Sequence, residues 1–368
     1  MLFDKPAVVI DNGSYSIKAG FACDNHPVSI FRTLVGRPSY LNGSYGNKYY
    51  DVHVGDDAIR EIDLDLNHPV VKGSIAHWDD MERVWHHVFY KELKVAPEER
   101  GVILACGTNS TIDEKVKCCE VFFETFNAPT MCIQSQSVLA MYGSGTTTGI
   151  CVDIGHDTTD VAPIFEGKMI TYAHINTGLA GSQIENYLEK CLAERNLLNE
   201  FKSSIDIENI KKSCLYITKN GAMPIKNYIR NYKLPSGEKI DVSNEAFMAG
   251  ELIFQPDIVK GEKTSFIPLH EAIVTASLKC DTEIRKQMYE SIVPCGGLSM
   301  VPGINKRLQV ELECSISSPF NILSSSEQYA ISWLGGATFA GLSETKKIWV
   351  QKKQFEDYGQ RIVRNKFF

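Results

Sequence analysis

The chain has 368 residues, 43% of them hydrophobic and 23% charged, proportions that exclude a collagen, a coiled coil or disorder as its bulk. Its net charge is −7, from 38 basic and 45 acidic residues, and the basic residues are dispersed, so nucleic acid is not expected as a direct ligand. The length suggests two domains or two lobes.

The eleven cysteines are an odd number with no C-x-x-C pair. They read as reduced core filler in a cytosolic or nuclear protein. The N-terminal residues lack a basic segment followed by an apolar one, and no apolar run reaches about 18 residues. Neither a secretory leader nor a membrane span is therefore expected.

Taken in chain order, Ala7-Val-Val-Ile10 is a β-branched run that enters Asp11-Asn-Gly13 and continues through Ser14-Tyr-Ser16. It reads as strand, tight turn, strand. Residues 39–50, rich in Gly, Ser, Asn and Tyr, read as peripheral. In 79–94, Met81, Val84, Trp85, Val88 and Phe89 follow helical spacing. Val102-Ile-Leu-Ala105 reads as a buried strand. Thr111 and Glu114 form a capping box that opens a helix through Phe126. The strand-turn-strand pattern then recurs at Ile150-Cys-Val152, Asp153-Ile-Gly155 and Thr158-Thr159. Residues 182–197 follow as a helix with Ile184, Leu188 and Leu192 on one face, and 219–238 is a polar, peripheral stretch. Strands alternating with helices, twice over, imply an α/β architecture built by duplication.

The two turns carry the candidate chemistry. Asp11-Asn-Gly-Ser14 presents small residues and backbone N–H groups that can cradle a phosphate. Lys18, on the returning strand, can reach the same phosphates. Asp11 and Asp153 are placed to hold a hydrated Mg²⁺ that bridges nucleotide phosphates. Gly178-Leu-Ala-Gly181 and Cys295-Gly-Gly297 supply glycines where the backbone passes close to another group. Singly, each Asp-x-Gly turn reads as structural; the duplication and the downstream Gly-Gly favour nucleotide. His86 and His87 are adjacent on a helix rather than four apart, which does not suit a metal pair. No G-x-S-x-G or Cys/His arrangement suggests a hydrolase nucleophile.

Ile10-Asp-Asn-Gly-Ser-Tyr-Ser-Ile-Lys-Ala-Gly20, Trp78-Asp-Asp-Met-Glu-Arg-Val-Trp-His-His87, Val95-Ala-Pro-Glu-Glu99, Phe122-Phe-Glu-Thr-Phe-Asn127, Pro302-Gly-Ile304 and Trp333-Leu-Gly-Gly336 closely resemble actin. The resemblance runs from Val8 to Phe368. It implies a duplicated RNase H-like, actin-like ATPase fold: two lobes of two subdomains around a nucleotide cleft. By the same resemblance, subdomain 1 comprises 1–32, 70–143 and 330–368, and subdomain 2 comprises 33–69. Subdomain 3 comprises 144–179 and 266–329, and subdomain 4 comprises 180–265.

The implied ligands are ATP or ADP with Mg²⁺. Gly13, Ser14 and Lys18 fall on the first phosphate loop, and Gly155 and Asp157 on the second. Asp11 and Asp153 lie beside the metal and act through water. Gly181 falls near the ribose and Lys211 beside base and sugar, while Gly296, Gly297 and Met300 close over the adenosine. Gln136 falls on the residue that orients attacking water, a task an amide can perform without being a base; Gln134 reads as structural.

Several positions depart from the family pattern. His156-Asp157 replaces Asp-Gly, Asp160 replaces a histidine, Lys212 replaces a ribose-binding glutamate, and Lys72 replaces a histidine. The adenine-side lysine is missing around Glu327-Gln-Tyr329. The 39–50 loop lacks the apolar tip that normally enters the next protomer, so self-assembly is expected to be weaker than actin's.

The expectation is therefore a divergent actin-like or actin-related protein, a cytoskeletal subunit with slow or absent ATP hydrolysis. Its partners would be itself, actin, or actin-binding proteins docking near Tyr142, Leu334, Phe339, Leu342 and Ile348, without direct membrane contact. The expected place is the cytoplasm and cytoskeleton, with the nucleus as the alternative. The competing reading is a nucleotide-locked structural subunit of a chromatin-remodelling or other complex. A sugar or acetate kinase would need substrate loops that are not found.

Overall fold

The structure, a computed structural model, describes residues 5–38, 52–61, 64–198, 201, 204–223, 229–234, 236–258 and 265–367. The chain divides into two units, Met1–Thr146 with Ala330–Phe368, and Thr147–Tyr329.

The first unit is built on a six-stranded sheet in the order Val350–Gln351, Thr130–Ser135, Val102–Cys106, Val8–Asn12, Ser16–Phe21, Ser29–Arg32. Val8–Asn12 and Val102–Cys106 are buried at every position. Burial at every position suits strands covered on both faces. Trp85, Phe89, Phe122, Leu139, Trp333 and Phe339 pack into the same core.

Two predicted helices differ in detail. Trp78–His86 is α-helical but continues as a π-helical turn over His87–Glu92. Ile112–Glu120 likewise continues as a π-helical turn over Val121–Thr125. The extra residue in each turn lets Phe89 meet Phe122 and Phe126, with ring centroids 6.3 and 5.4 Å apart. Helical spacing alone does not reveal such an insertion, because it shifts the buried face only locally. The expected cap is present: Glu114 N–H donates to Thr111 Oγ1 at 3.2 Å.

Helices Gln136–Gly143 and Ile331–Gly341 meet backbone to backbone. A Cβ on Gly335 would lie 1.7 Å from the Leu139 carbonyl oxygen, and one on Gly143 would lie 2.3 Å from that of Ile331. From the second of these helices, Trp333 Nε1 donates to the Val9 carbonyl at 3.0 Å.

The second unit carries a five-stranded sheet along the path Lys168–Met169, Thr159–Phe165, Gly149–Ile154, Ile292–Cys295, with Ile175–Asn176 also paired to Thr159–Phe165. The expected helix is found over Gly181–Glu194, and Ile184, Leu188 and Leu192 are fully buried.

The duplication is explicit in the strand pairing. Val8–Asn12 runs antiparallel to Ser16–Phe21 and parallel to Val102–Cys106. Gly149–Ile154 runs antiparallel to Thr159–Phe165 and parallel to Ile292–Cys295. Each parallel neighbour ends in a cysteine followed by a glycine, at Cys106-Gly107 and Cys295-Gly296. No helix among the described residues is long and apolar enough to cross a membrane.

Candidate functional site

In the first hairpin Asp11 stands directly opposite Lys18. Facing residues of an antiparallel pair share one side of the sheet, and Lys18 Nζ donates to Asp11 Oδ2 at 2.8 Å. Gln136 opens its helix directly after the strand Thr130–Ser135, and its Nε2 donates to Asp11 Oδ1 at 2.6 Å. Asp11 is only 2% exposed, so both donors offset the cost of burying its charge. An ionised carboxylate only accepts, so the amide nitrogen must face Asp11. The Gln136 carbonyl oxygen is left to accept from another donor, such as water. The Oε1 of Gln134 accepts from Ser135 N–H at 2.9 Å.

The turn itself is tight. A Cβ on Gly13 would lie 2.6 Å from the Ser16 carbonyl oxygen, and Thr33 Oγ1 donates to the Gly13 carbonyl at 2.7 Å. Ser14 is half-buried at the tip.

The second hairpin repeats the turn: Gly155 N–H donates to the Thr158 carbonyl at 2.9 Å, and a Cβ on Gly155 would lie 2.9 Å from that oxygen. Its charges differ. Asp153 stands opposite Asp160, not opposite a lysine. Asp160 is 4% exposed and accepts from His174 Nε2 at 2.9 Å and Asn176 Nδ2 at 2.8 Å, both on Oδ1. These donors hold the Asp160 carboxylate within its own sheet. Gly296 has φ +82°, and a Cβ there would lie 2.5 Å from Asp153 Oδ1. Only glycine lets the chain turn this way so close to a carboxylate.

Gly155, Asp157, Gly181 and Lys211 come together around His156. Lys211 Nζ lies 2.6 Å from Glu185 Oε1 and 3.4 Å from His156 Nδ1. His156 Nε2 lies 3.7 Å from Asp157 Oδ1. A Cβ on Gly181 would approach Lys211 Nζ and the His156 backbone at 3.0 and 3.1 Å. The loop is fastened to the helix that follows it: Gly181 N–H donates to the Gly155 carbonyl, and Ser182 N–H to that of His156, at 3.1 and 2.7 Å.

Lys212 is half-exposed and pairs with Glu208 at 2.9 Å. Gly297 begins a short turn with open space around it. Met300, 42% exposed, lines a cavity of about 850 Å³ within the second unit.

Sequence reasoning missed Thr33, His174, Asn176 and Glu185. Glu185 alone had a local signal, because it falls four residues after Gly181 on one helical face. The others reach their partners through tertiary folding.

The two hairpins each carry an aspartate near the end of the first strand and a glycine in the turn. A family model described as Actin matches residues 4–368. The chain belongs to the actin family. That family generally binds a nucleotide with a divalent metal, and each hairpin, taken by itself, carries residue types that suit phosphate or a hard metal ion. Lys18 provides a cation beside the first turn, glycines leave the turns uncrowded, and Asp11 and Asp153 supply hard oxygen donors. Asp157 and His156 make the second loop bulkier than the first.

Among the residues expected to line a partner groove, Phe339 is 1% exposed and belongs to the core, where it packs edge-on against Tyr142 at 5.1 Å. Burial within this actin-family chain therefore removes Phe339 from any surface contact. Tyr142, Leu334, Leu342 and Ile348 are half-buried. The loop 39–50 and Phe368 lie outside the described residues, as do 224–228 and 235 of the predicted 219–238 stretch.

Proposed function

We propose that this actin-family chain is a divergent, actin-like subunit that binds Mg-ATP and works by assembling with itself, with actin or with partner proteins. The carrying observation is the repeated hairpin, with Asp11 and Asp153 at equivalent positions and a glycine-tightened turn after each. In this reading Gly13, Ser14 and Lys18 bind phosphate from the first turn, and Gly155 and Asp157 from the second. Asp11 and Asp153 hold the metal through water. Gly181 and Lys211 flank the sugar, and Gly296, Gly297 and Met300 the adenosine. When bound, Mg²⁺ neutralises phosphate charge and makes the terminal phosphoryl group easier to transfer.

Gln136 acts as a positioning amide. Asp11 fixes its nitrogen, so its oxygen is aimed rather than free to flip. Because an amide is not a base, any hydrolysis is slow. Tyr142, Leu334, Leu342 and Ile348 are proposed as partner contacts. The four-subdomain boundaries given above belong to the same proposal. So does a cytoplasmic, cytoskeletal location, which suits a chain in which none of eleven thiols is bridged.

The test is binding of a fluorescent ATP analogue with Mg²⁺ after bound nucleotide has been stripped. Saturable binding that is weakened in Asp11→Asn and Asp153→Asn supports the proposal. No binding by the folded wild type rejects it.

A second reading is a subunit that keeps its nucleotide without turning it over, in a chromatin-remodelling or other assembly. Asp160 favours it, because its bonds to His174 and Asn176 commit the carboxylate to the sheet. Sedimentation with Mg-ATP and simultaneous phosphate release distinguishes the two. Pelleting with release supports the assembling subunit; retained nucleotide with neither supports the locked one.

A further inference from the structure

A small hairpin in the second unit pairs charges of the same sign. Asn231–Lys233 runs antiparallel to Lys239–Asp241, with Lys233 directly opposite Lys239. Leu234 N–H donates to the Glu238 carbonyl, and Val242 N–H to that of Arg230, both at 2.8 Å. Counting rungs between these bonds, Lys233 and Lys239 form a non-hydrogen-bonded pair, the kind whose side chains stand closest. Both lysines are exposed, and among the described residues neither has an ion-pair partner. Like charges placed this way weaken the pair. The opposite face of the hairpin is anchored, because Ile240 is buried in the core and Tyr232 packs against it. Asp241, on the lysine face, already accepts from Ser243 N–H at 2.9 Å.

The turn between the lysines carries Ser236, which is exposed. Its Oγ accepts a long bond from Glu238 N–H at 3.4 Å and donates to none of the described residues. Gly237 follows at φ +94° with open space around it, so nothing crowds the hydroxyl from that side. Lys233 precedes Ser236 by three residues and Lys239 follows it by three. Protein kinases select substrates largely by such charge patterns. The same spacing recurs around Thr282, with Lys279 and Arg285. There the residue begins a helix between Asp281 and Glu283, and Arg285 donates to the carbonyls of Leu278 and Cys280, each at 3.0 Å.

We propose that Ser236 is a phosphorylation site for a protein kinase that reads basic residues on both sides, and that its phosphate turns a repelling lysine pair into a clamp. The γ-phosphoryl group of ATP is transferred. The bond from Ser236 Oγ to phosphorus forms, the bond from that phosphorus to the β–γ bridging oxygen breaks, ADP leaves, and the hydroxyl proton passes to the kinase's base. A two-stranded hairpin is marginally stable by itself, and the repelling rung lowers the cost of opening the tip to a kinase groove. Once attached, a group of about −2 charge with three acceptor oxygens stands between two flexible ammonium groups. It outweighs the single opposing acid of the turn, Glu238. The proposal does not rest on the nucleotide reading.

The test incubates the folded full chain with Mg-ATP and the catalytic fragment of protein kinase C, and maps the phosphate by mass spectrometry. Phosphate is expected on Ser236 and absent from that peptide in Ser236→Ala, which should melt as wild type does. Lys233→Gln/Lys239→Gln should slow labelling at least about fivefold, the worth of two exposed charge contacts. Amide exchange at Leu234, whose N–H closes the last rung, should slow about two- to fivefold on phosphorylation.

No phosphate on Ser236, or phosphate only after the chain is denatured, overturns the proposal. So does labelling undiminished in the lysine double variant, or labelling of Thr282 at an equal rate, since spacing in the sequence would then suffice without the hairpin. Exchange at Leu234 that is unchanged or faster in the phosphorylated chain overturns the clamp.

Discussion

The two hairpins share a backbone and differ in what faces the aspartate. Across the first, Asp11 meets Lys18; across the second, Asp153 meets Asp160. The first is a nearly closed ion pair that also fixes an amide. The second places two carboxylates side by side and disperses the charge elsewhere: His174 and Asn176 take Asp160, and the Gly296 turn lies against Asp153. Duplication preserved strand, turn and register, while side chains on the returning strand set two different electrostatic surroundings.

The comparison is broken most severely at Lys18. Lys18→Met should cost about 3 kcal/mol in unfolding free energy, because it leaves Asp11 buried without its counter-charge. A urea midpoint unchanged from wild type would mean that the pair contributes nothing. On the second hairpin, Gly296→Ala should cost about 1–3 kcal/mol from the left-handed backbone conformation alone, with the carboxylate contact in addition. Gly297→Ala should stay within about 0.5 kcal/mol, because open space surrounds it. Equal thermal shifts for the two alanine variants would show that the Gly296 turn is not under this constraint.

Asp160→Asn should cost about 1.5 kcal/mol, the loss of charge from two hydrogen bonds with the acceptor oxygen kept. If it instead stabilises the protein, repulsion from Asp153 outweighs those bonds.

The smallest effect concerns pH and lies outside both hairpins. Burial raises the carboxyl pKa of Glu114 above its ordinary value, although Ile75 N–H donates to it. With the folded value above the unfolded one, near about 4.3, the stability linked to this proton is present at lower pH. It is lost as pH rises through the folded value. Glu114→Gln should flatten that part of a melting-temperature profile measured between about pH 4 and 6; an unchanged slope would assign it to another group.

Patterned residues made the duplication legible before the structure. Asp11-Asn-Gly and Asp153-Ile-Gly stand at the ends of apolar runs, and strand period and turn chemistry are local properties. The buried helix faces at Trp85 and Leu188 were legible for the same reason. The π-helical turns were not, since an inserted residue leaves apolar spacing almost unchanged. Nor were the bonds from His174 and Asn176 to Asp160, because only strand pairing brings Asn176 opposite it. Phe339 resembled a surface apolar residue by its place in a motif, and packing against Tyr142 put it in the core.

The glycine contact between Gln136–Gly143 and Ile331–Gly341 has a mechanical consequence. Side-chain contacts between helices can absorb a small displacement by changing rotamer, whereas touching backbones have no such slack. A push on the segment around Trp333 would therefore be carried as a lever movement along the Gln136 helix, and through Trp333 to the strand that holds Asp11. The C-terminal part of the chain is geared directly to the residue proposed to aim water.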